Sequence, residues 1–447
     1  MQLSRIFSLE NERTSTVVKN VFWGAGIKGI SIIISLILVP MTINFVSSEL
    51  YGIWLTLSSI IGWLGFFDIG FGLGLRNKLT TAIAHNNYDL GKRYVSTTYL
   101  ILTVIFGCIG ILGYIFAGTI DWCALLNVNA QYQEVLVSTS RIVIATFCLN
   151  LVLKLLQNLY QAYQMTAVAS GLDTLGQFTS LIAIWILTKT TAPDLNNLAI
   201  VFCFTPCILY LLASIFAFAG KFKTVAPSIK TVNLRYAKDI FNLGSQFFLV
   251  QIICIILYQA TNFIISHYCG PEQVTSYNIS YKYLNCSLMA LTIVASPLWS
   301  AYNDAYARED YDWMLRIYKR LLKINALIIL GILLMIIFSP VVYKLWIGNA
   351  VEMPLVVSIL VGLYMIAQSI SNLHASILNG MGTIRLQIIQ AMIQGIIYIP
   401  LVIILAKSEQ LVGILWALLL VAIIPAIILP IQVTKLLNKR ANGIWSK

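Results

Sequence analysis

The sequence predicts an all-α, polytopic membrane protein with about 12 transmembrane helices in two six-helix halves. Three observations carry that expectation. Hydrophobic residues make up 59% of the 447 and charged residues 10%, against about 25% charged in soluble domains. Apolar runs long enough to cross about 30 Å of hydrocarbon recur along the chain. Of the 29 Lys and Arg, 22 fall at the termini and in alternate connecting segments, four in the other segments and three inside the runs. That bias places the richer set, with both termini, in the cytoplasm. The net charge of +12 then belongs at a membrane surface and does not call for nucleic acid.

The first run, residues 20–46, is 27 residues long, about 40 Å as a helix. It is too long for a signal-peptide core and is expected to stay as the first span. Lys28 is its one charge, and Gly24, Gly26 and Gly29 lie beside it. Pro40 removes a helix hydrogen bond and marks a kink or hinge. The remaining spans are expected near 51–71, 95–118, 138–160, 168–188, 196–219, 239–266, 274–300, 321–343, 355–378, 384–406 and 410–433. Residues 72–94 are too polar to cross and read as an amphipathic helix and turn on the inner face. Residues 301–320 look like their counterpart. The charged loop Lys221–Lys238 divides the spans six and six, giving lobes 1–220 and 221–447. An even number of spans per half starts both on the same side, as in a parallel repeat about the membrane normal. SSELYG (47–52) then corresponds to CGPEQV (269–274), and QAYQMT (161–166) to LNGMGT (378–383).

Polar chemistry concentrates on a few faces. Asn278, Lys282 and Asn285 recur at i, i+4, i+7, with Tyr281 beside them. The seventh span offers Gln251 and Gln259, the tenth Asn372, and the eleventh Gln390. Amides, phenols and lysines suit hydroxyls and phosphates. The same amides also serve as interhelical glue without any ligand, so a stripe that includes a charge is the better candidate for a cavity lining. Lys28 has two readings, a cavity cation or a snorkelling anchor. Lys154 reads as a snorkelling residue and Arg141 as interfacial.

The carboxylates singled out are Asp68, after the second span, and Asp304, after the eighth. Neither is at mid-depth, and the embedded charges are read as basic only. A cation or drug exporter would want an acid in its cavity. Asp68 is expected to pair with Arg76 or to cap the helix that follows. No Walker loop, HExxH or metal-ligand spacing occurs, so neither cofactor nor metal is expected. The Gly70-x-Gly72-x-Gly74 run follows a membrane helix and is read as a helix-ending turn. Six of the eight cysteines lie in apolar runs, and Cys123 and Cys269 lie in outer loops where a disulfide between them stays open.

FDIGFGLGLRNKLTTAIA (67–84), SPLWSAYNDAYARED (296–310) and ILNGMGTIRLQ (377–387), set in twelve spans, resemble segments of the Wzx-type oligosaccharide flippases. These belong to the multidrug/oligosaccharidyl-lipid/polysaccharide exporter superfamily, with MurJ and the MATE drug exporters. The resemblance implies two six-helix lobes around a central cavity. It also implies a polyprenyl-pyrophosphate-linked oligosaccharide as substrate, flipped from the inner to the outer leaflet by alternating access. Lys28 and Lys282 are the cations available for the pyrophosphate, and Pro40, Pro206 and Pro297 the kinks about which lobes could rock. No enzyme activity is expected. The implied partners are the lipid-linked sugar, membrane lipids and a coupling ion, Na+ or H+, for a monomer in a bacterial inner membrane. The alternatives are a MATE-type drug or cation antiporter with the same fold, and a membrane polymerase or glycosyltransferase. The longest outer loop, about residues 119–137, carries only Asp121 and Glu134, too little for the latter.

Overall fold

The computed structural model describes residues 12–62, 71–163, 165–240, 260–295, 302, 305–306, 308–383 and 385–446. Among them the chain is helical, with no strand. Helices α1 (Glu12–Val46), α2 (Ser48–Gly62), α3 (Phe71–Ala84), α4 (Tyr88–Phe116) and α5 (Trp122–Leu126) come first. They are followed by α6 (Gln133–Leu153), α7 (Leu155–Ala162), α8 (Thr166–Thr190) and α9 (Leu195–Ala219). The second half holds α10 (260–269), α11 (Pro271–Ala295), α12 (Tyr311–Trp346), α13 (Leu355–Met381) and α14 (Arg385–Leu437). Eight of the described helices are long and apolar enough to cross a membrane.

The last of these, α14, is 53 residues long and breaks at Gln410 (φ 51°, ψ −130°). Its two arms fold back on one another, since the Gln394 side-chain amide donates to Val421 O at 2.9 Å. Gly413 makes the turn possible, because a Cβ there would overlap the Leu405 carbonyl. The arms correspond to the two last expected spans.

The chain forms two compact units, one of residues 1–46 and 57–252, the other of residues 47–56 and 253–447. In the first, α1 packs on α8, where Ser31 Oγ donates to Gln177 Oε1 at 2.7 Å. Helix α6 lies between α4 and α9, and Thr139 Oγ1 donates to Asn196 Oδ1 at 2.7 Å. The loop after α9 folds onto the start of α4. Ser96 Oγ accepts from Ser228 N at 3.0 Å and meets Thr231 Oγ1 at 2.8 Å. In the second unit, one apolar core joins Val274, Tyr277, Leu284 and Leu288 of α11 to α13 and α14. Another joins Tyr302, Met314 and Leu321 to Leu373 and Leu378. Polar pairs cross these cores as interhelical glue: Tyr343 OH donates to Ser280 Oγ at 3.2 Å, and Ser369 Oγ to Asn325 Oδ1.

The turns before α2 and α11, which the sequence pairs, share a local geometry. Each joins two helices through one residue with positive φ, Ser47 (102°) and Gly270 (89°). They also touch. Thr275 Oγ1 donates to Ser48 O at 2.6 Å, and a Cβ on Gly52 would overlap the Pro271 carbonyl.

Two expectations need correction. Gly72 and Gly74 lie inside the first turn of α3, not in a helix-ending turn. Gly74 is needed for close packing, because a Cβ there would overlap Ile240 O. Residues 311–320 are the first turns of the 36-residue α12 and not a separate surface helix. Tyr302 holds them, fully buried, with its hydroxyl donating to Met314 O at 3.2 Å. The 72–94 segment is α3, with Leu75, Leu79 and Ala82 buried, followed by a turn at Asn86 (φ 55°) into α4.

Candidate functional site

Helix α11 reads PEQVTSYNISYKYLNCSLMALTIVA, and it is not among the eight helices apolar enough to cross a membrane. Yet Val274, Tyr277, Ile279 and Leu284 are buried. A polar helix buried on most of its sides belongs inside the protein, and its half-buried positions Asn278, Lys282 and Asn285 lie along one side. Lys282 lies eleven residues into the helix from Pro271, about 16 Å along its axis. Its ammonium donates to Tyr51 OH at 3.0 Å and stands 5.8 Å from the centre of that ring. Tyr51 itself is buried on α2. The partner of Lys282 is a neutral hydroxyl, so the ammonium keeps donors for an anion.

The neighbouring stripe splits in use. Asn278 is spent on structure, donating to Asn262 Oδ1 and to Val274 O, each at 2.9 Å. Tyr281 packs on Tyr277, ring centres 5.7 Å apart. Asn285 is half-buried one turn beyond Lys282. Gln390 is buried, with its Oε1 unsatisfied among the described residues, and Asn372 is exposed on α13. In the first unit Lys28 is exposed on α1. Gln251, Gln259, Asp68, Asp304 and Pro297 lie outside the described residues. Arg76, expected to meet Asp68, donates through Nη1 to Gln161 Oε1 of α7 at 3.1 Å. Helix α1 runs on through Pro40. Cys123 and Cys269 are free thiols. Burial, helped by Asp121, pushes the Cys123 thiol up, and its Sγ donates to Asn129 O at 3.2 Å.

A second polar cluster overturns the expectation that embedded charges are basic only. Asp173 lies within α8 and accepts from Gln157 Nε2 at 2.6 Å and from Tyr210 OH at 2.7 Å. Lys154 sits 3.6 Å away, also near the Tyr210 ring. Lys154 is therefore half of an ion pair, not a lone snorkelling residue. Both charged side chains are over two-fifths exposed, so their Coulomb attraction is worth at most about 1 kcal/mol. Hydrogen bonds to a carboxylate, about 1.5–3 kcal/mol each, decide the balance. Asp173→Asn should thus lower the melting temperature of the purified protein far more than Lys154→Gln. Equal effects would assign the cluster to the ion pair instead.

Residues 17–301 match the family described as polysaccharide biosynthesis protein. A Yersinia pseudotuberculosis protein named for O-antigen export is 20% identical over 414 residues, 91% of this chain and 92% of that one. A Salmonella typhimurium protein named for O-antigen transport is 21% identical over 363 residues, 79% and 81% of the two chains. Among solved structures, an inward-facing multidrug resistance MATE family transporter of the MOP superfamily superposes with a TM-score of 0.72. It is 14% identical, over 92% of this chain and all of that one. A MOP superfamily transporter from Pyrococcus furiosus, titled for the reverse polarity of its binding pocket, gives 0.67 at 13% identity, over 96% of each chain. At such identities the likeness shows the fold.

Proposed function

The chain belongs to the polysaccharide biosynthesis protein family, and from that premise we propose that it flips a polyprenyl-pyrophosphate-linked oligosaccharide between leaflets. The observation that carries the reading is Lys282, a cation deep in a polar helix and steadied by Tyr51. A pyrophosphate head cannot cross hydrocarbon alone. An ammonium at that depth offers it charge-assisted hydrogen bonds while the prenyl tail stays in lipid. Alternating access of two six-helix lobes, 1–220 and 221–447, carries the head across the bacterial inner membrane. No bond is made or broken, so no enzyme activity is assigned. A coupling ion, Na+ or H+, is part of the proposal, with Asp173, a carboxylate within α8, as its candidate contact. Its presence removes the charge argument against a drug antiporter. The O-antigen names of the relatives favour the flippase.

Proteoliposomes holding the purified protein test this. A pyrophosphate-linked glycolipid should become accessible on the far leaflet, and a cationic dye should not be moved. Dye movement without glycolipid flipping would transfer the function to the antiporter. The basic bias also predicts topology. In a cysteine-free background, Ser446→Cys should resist an impermeant maleimide added to intact cells and react after lysis.

A further inference from the structure

Helices α4 and α6 leave two adjoining cavities between them, both bordered by Tyr114 and Ala145, of about 580 and 510 Å³. We infer that together they form a binding groove for a glycerophospholipid of the bilayer whose head carries a phosphate and a terminal ammonium.

The sequence of α6 sets up the gradient. Glu134, Ser138, Arg141, Ala145, Cys148 and Val152 recur at i, i+4, i+7, i+11, i+14 and i+18, one stripe down a single helix face. All six border the cavities. Read from the N-terminal end, the stripe runs acid, hydroxyl, base, then small and apolar. An aminophospholipid has the matching order: ammonium outermost, phosphate next, acyl chain below. From Arg141 to Val152 is about 16 Å of helix, close to one leaflet's share of a 30 Å hydrocarbon core.

The head end is built. Arg141 Nε donates to Tyr114 O at 3.3 Å, and the guanidinium lies 5.1 Å from the Tyr114 ring centre. Its Nη2 reaches the level of Gly118, just beyond α4, coming within 2.6 Å of where a Cβ would stand. The missing side chain at Gly118 is what admits it. Among the described residues no acceptor meets the two Nη groups, which leaves a planar donor fork of the kind that binds phosphate. Glu134, exposed in the first turn of α6, supplies the counter-charge for an ammonium and repels a purely anionic head.

The tail end is open and bare. A Cβ on Gly107 would meet nothing within 4 Å, so α4 offers backbone as the floor of a shallow channel. Ile111 and Leu149, at its sides, are exposed. Cations at this level usually mark a contact with lipid head groups. The acid two turns away is what selects among them.

Native mass spectrometry of the full protein, exchanged into detergent with defined lipids, reads the site directly. The probes are phosphatidylethanolamine, phosphatidylglycerol and inorganic phosphate. The parent should retain phosphatidylethanolamine about tenfold better than phosphatidylglycerol, and inorganic phosphate should not displace it. Arg141→Gln should lower retention of both lipids about tenfold or more. Glu134→Gln should erase the preference between them, and Gly107→Leu, which has room to fold, should lose bound lipid by blocking the channel. Equal retention of the two lipids by the parent would overturn the inference. So would parental retention by Arg141→Gln or Gly107→Leu. The inference takes from the proposed topology only that the head end faces outward. The retention ratios are read without transport, so they fail or hold separately from the flippase reading.

Discussion

A single methyl group at Gly52 should cost this protein most of its folded yield. Helices α2 and α11 cross so closely there that a Cβ on Gly52 would overlap the Pro271 carbonyl. The obstacle is backbone, which cannot swing aside as a side chain can. Overpacking a well-filled site costs about 1–3 kcal/mol. Separating the helices also stretches the Thr275 Oγ1 to Ser48 O hydrogen bond, 2.6 Å long and worth about 1 kcal/mol. Together these approach the lower end of a typical stability of about 5–15 kcal/mol. Gly24→Ala is the control, because a Cβ there meets nothing within 4 Å. Yield and melting temperature in detergent should fall sharply for Gly52→Ala and barely for Gly24→Ala. If the two variants melt together, the close crossing does not limit stability.

The same crossing shows what was legible beforehand. Apolar length alone marks helices, since lipid forces every span to satisfy its own backbone. The runs expected at 168–188, 196–219 and 355–378 accordingly appear as Thr166–Thr190, Leu195–Ala219 and Leu355–Met381. The paired turns SSELYG and CGPEQV were visible as a spaced repeat. Their contact was not, because packing between residues over 200 positions apart leaves no period in the sequence. Helix ends beyond the hydrocarbon were also hidden. Residues 311–320 continue α12 because Asp310 caps it, accepting from Trp313 N at 3.0 Å, and because Tyr302 buries against it. The polarity that suggested a separate surface segment is that of a helix leaving the membrane.

The site was half legible for a related reason. Lys282 stood out as a charge in an apolar setting. Tyr51, its partner, is an aromatic in the first turn of α2 and carries no charge to mark it. Asp173 lies five residues inside the span expected at 168–188, yet a lone carboxylate there does not show its partners. The signal is in the sequence: Lys154 and Asp173 are opposite charges on neighbouring spans, within reach of each other and of Tyr210 in the structure. Reading embedded charges in pairs, not one at a time, would have found it. Asn278 illustrates the converse, since its period matched the lysine but its amide holds α10 to α11.

Lys282→Gln should weaken binding of a pyrophosphate-linked lipid by roughly 10–100-fold, the equivalent of losing one charge-assisted hydrogen bond of about 1.5–3 kcal/mol. Glutamine keeps a donor at similar reach and removes only the charge, so a purely structural lysine would be replaced at small cost. Lys282→Arg keeps the charge but presents a planar fork in place of a compact ammonium, and should recover most of the binding. Tyr51→Phe leaves the charge and removes the hydroxyl 3.0 Å from it, so its effect should be several-fold, through the position of the ammonium. Lys28, exposed on α1, separates its two readings in the same assay. A cavity cation predicts a loss like that of Lys282→Gln for Lys28→Gln, whereas an interfacial anchor predicts parental binding. Binding to detergent-solubilised protein, corrected for the folded fraction by its melting curve, is the quantity to compare. Should Lys282→Gln melt lower yet bind as the parent does, the lysine is a structural partner of Tyr51 and the pyrophosphate contact must be sought elsewhere.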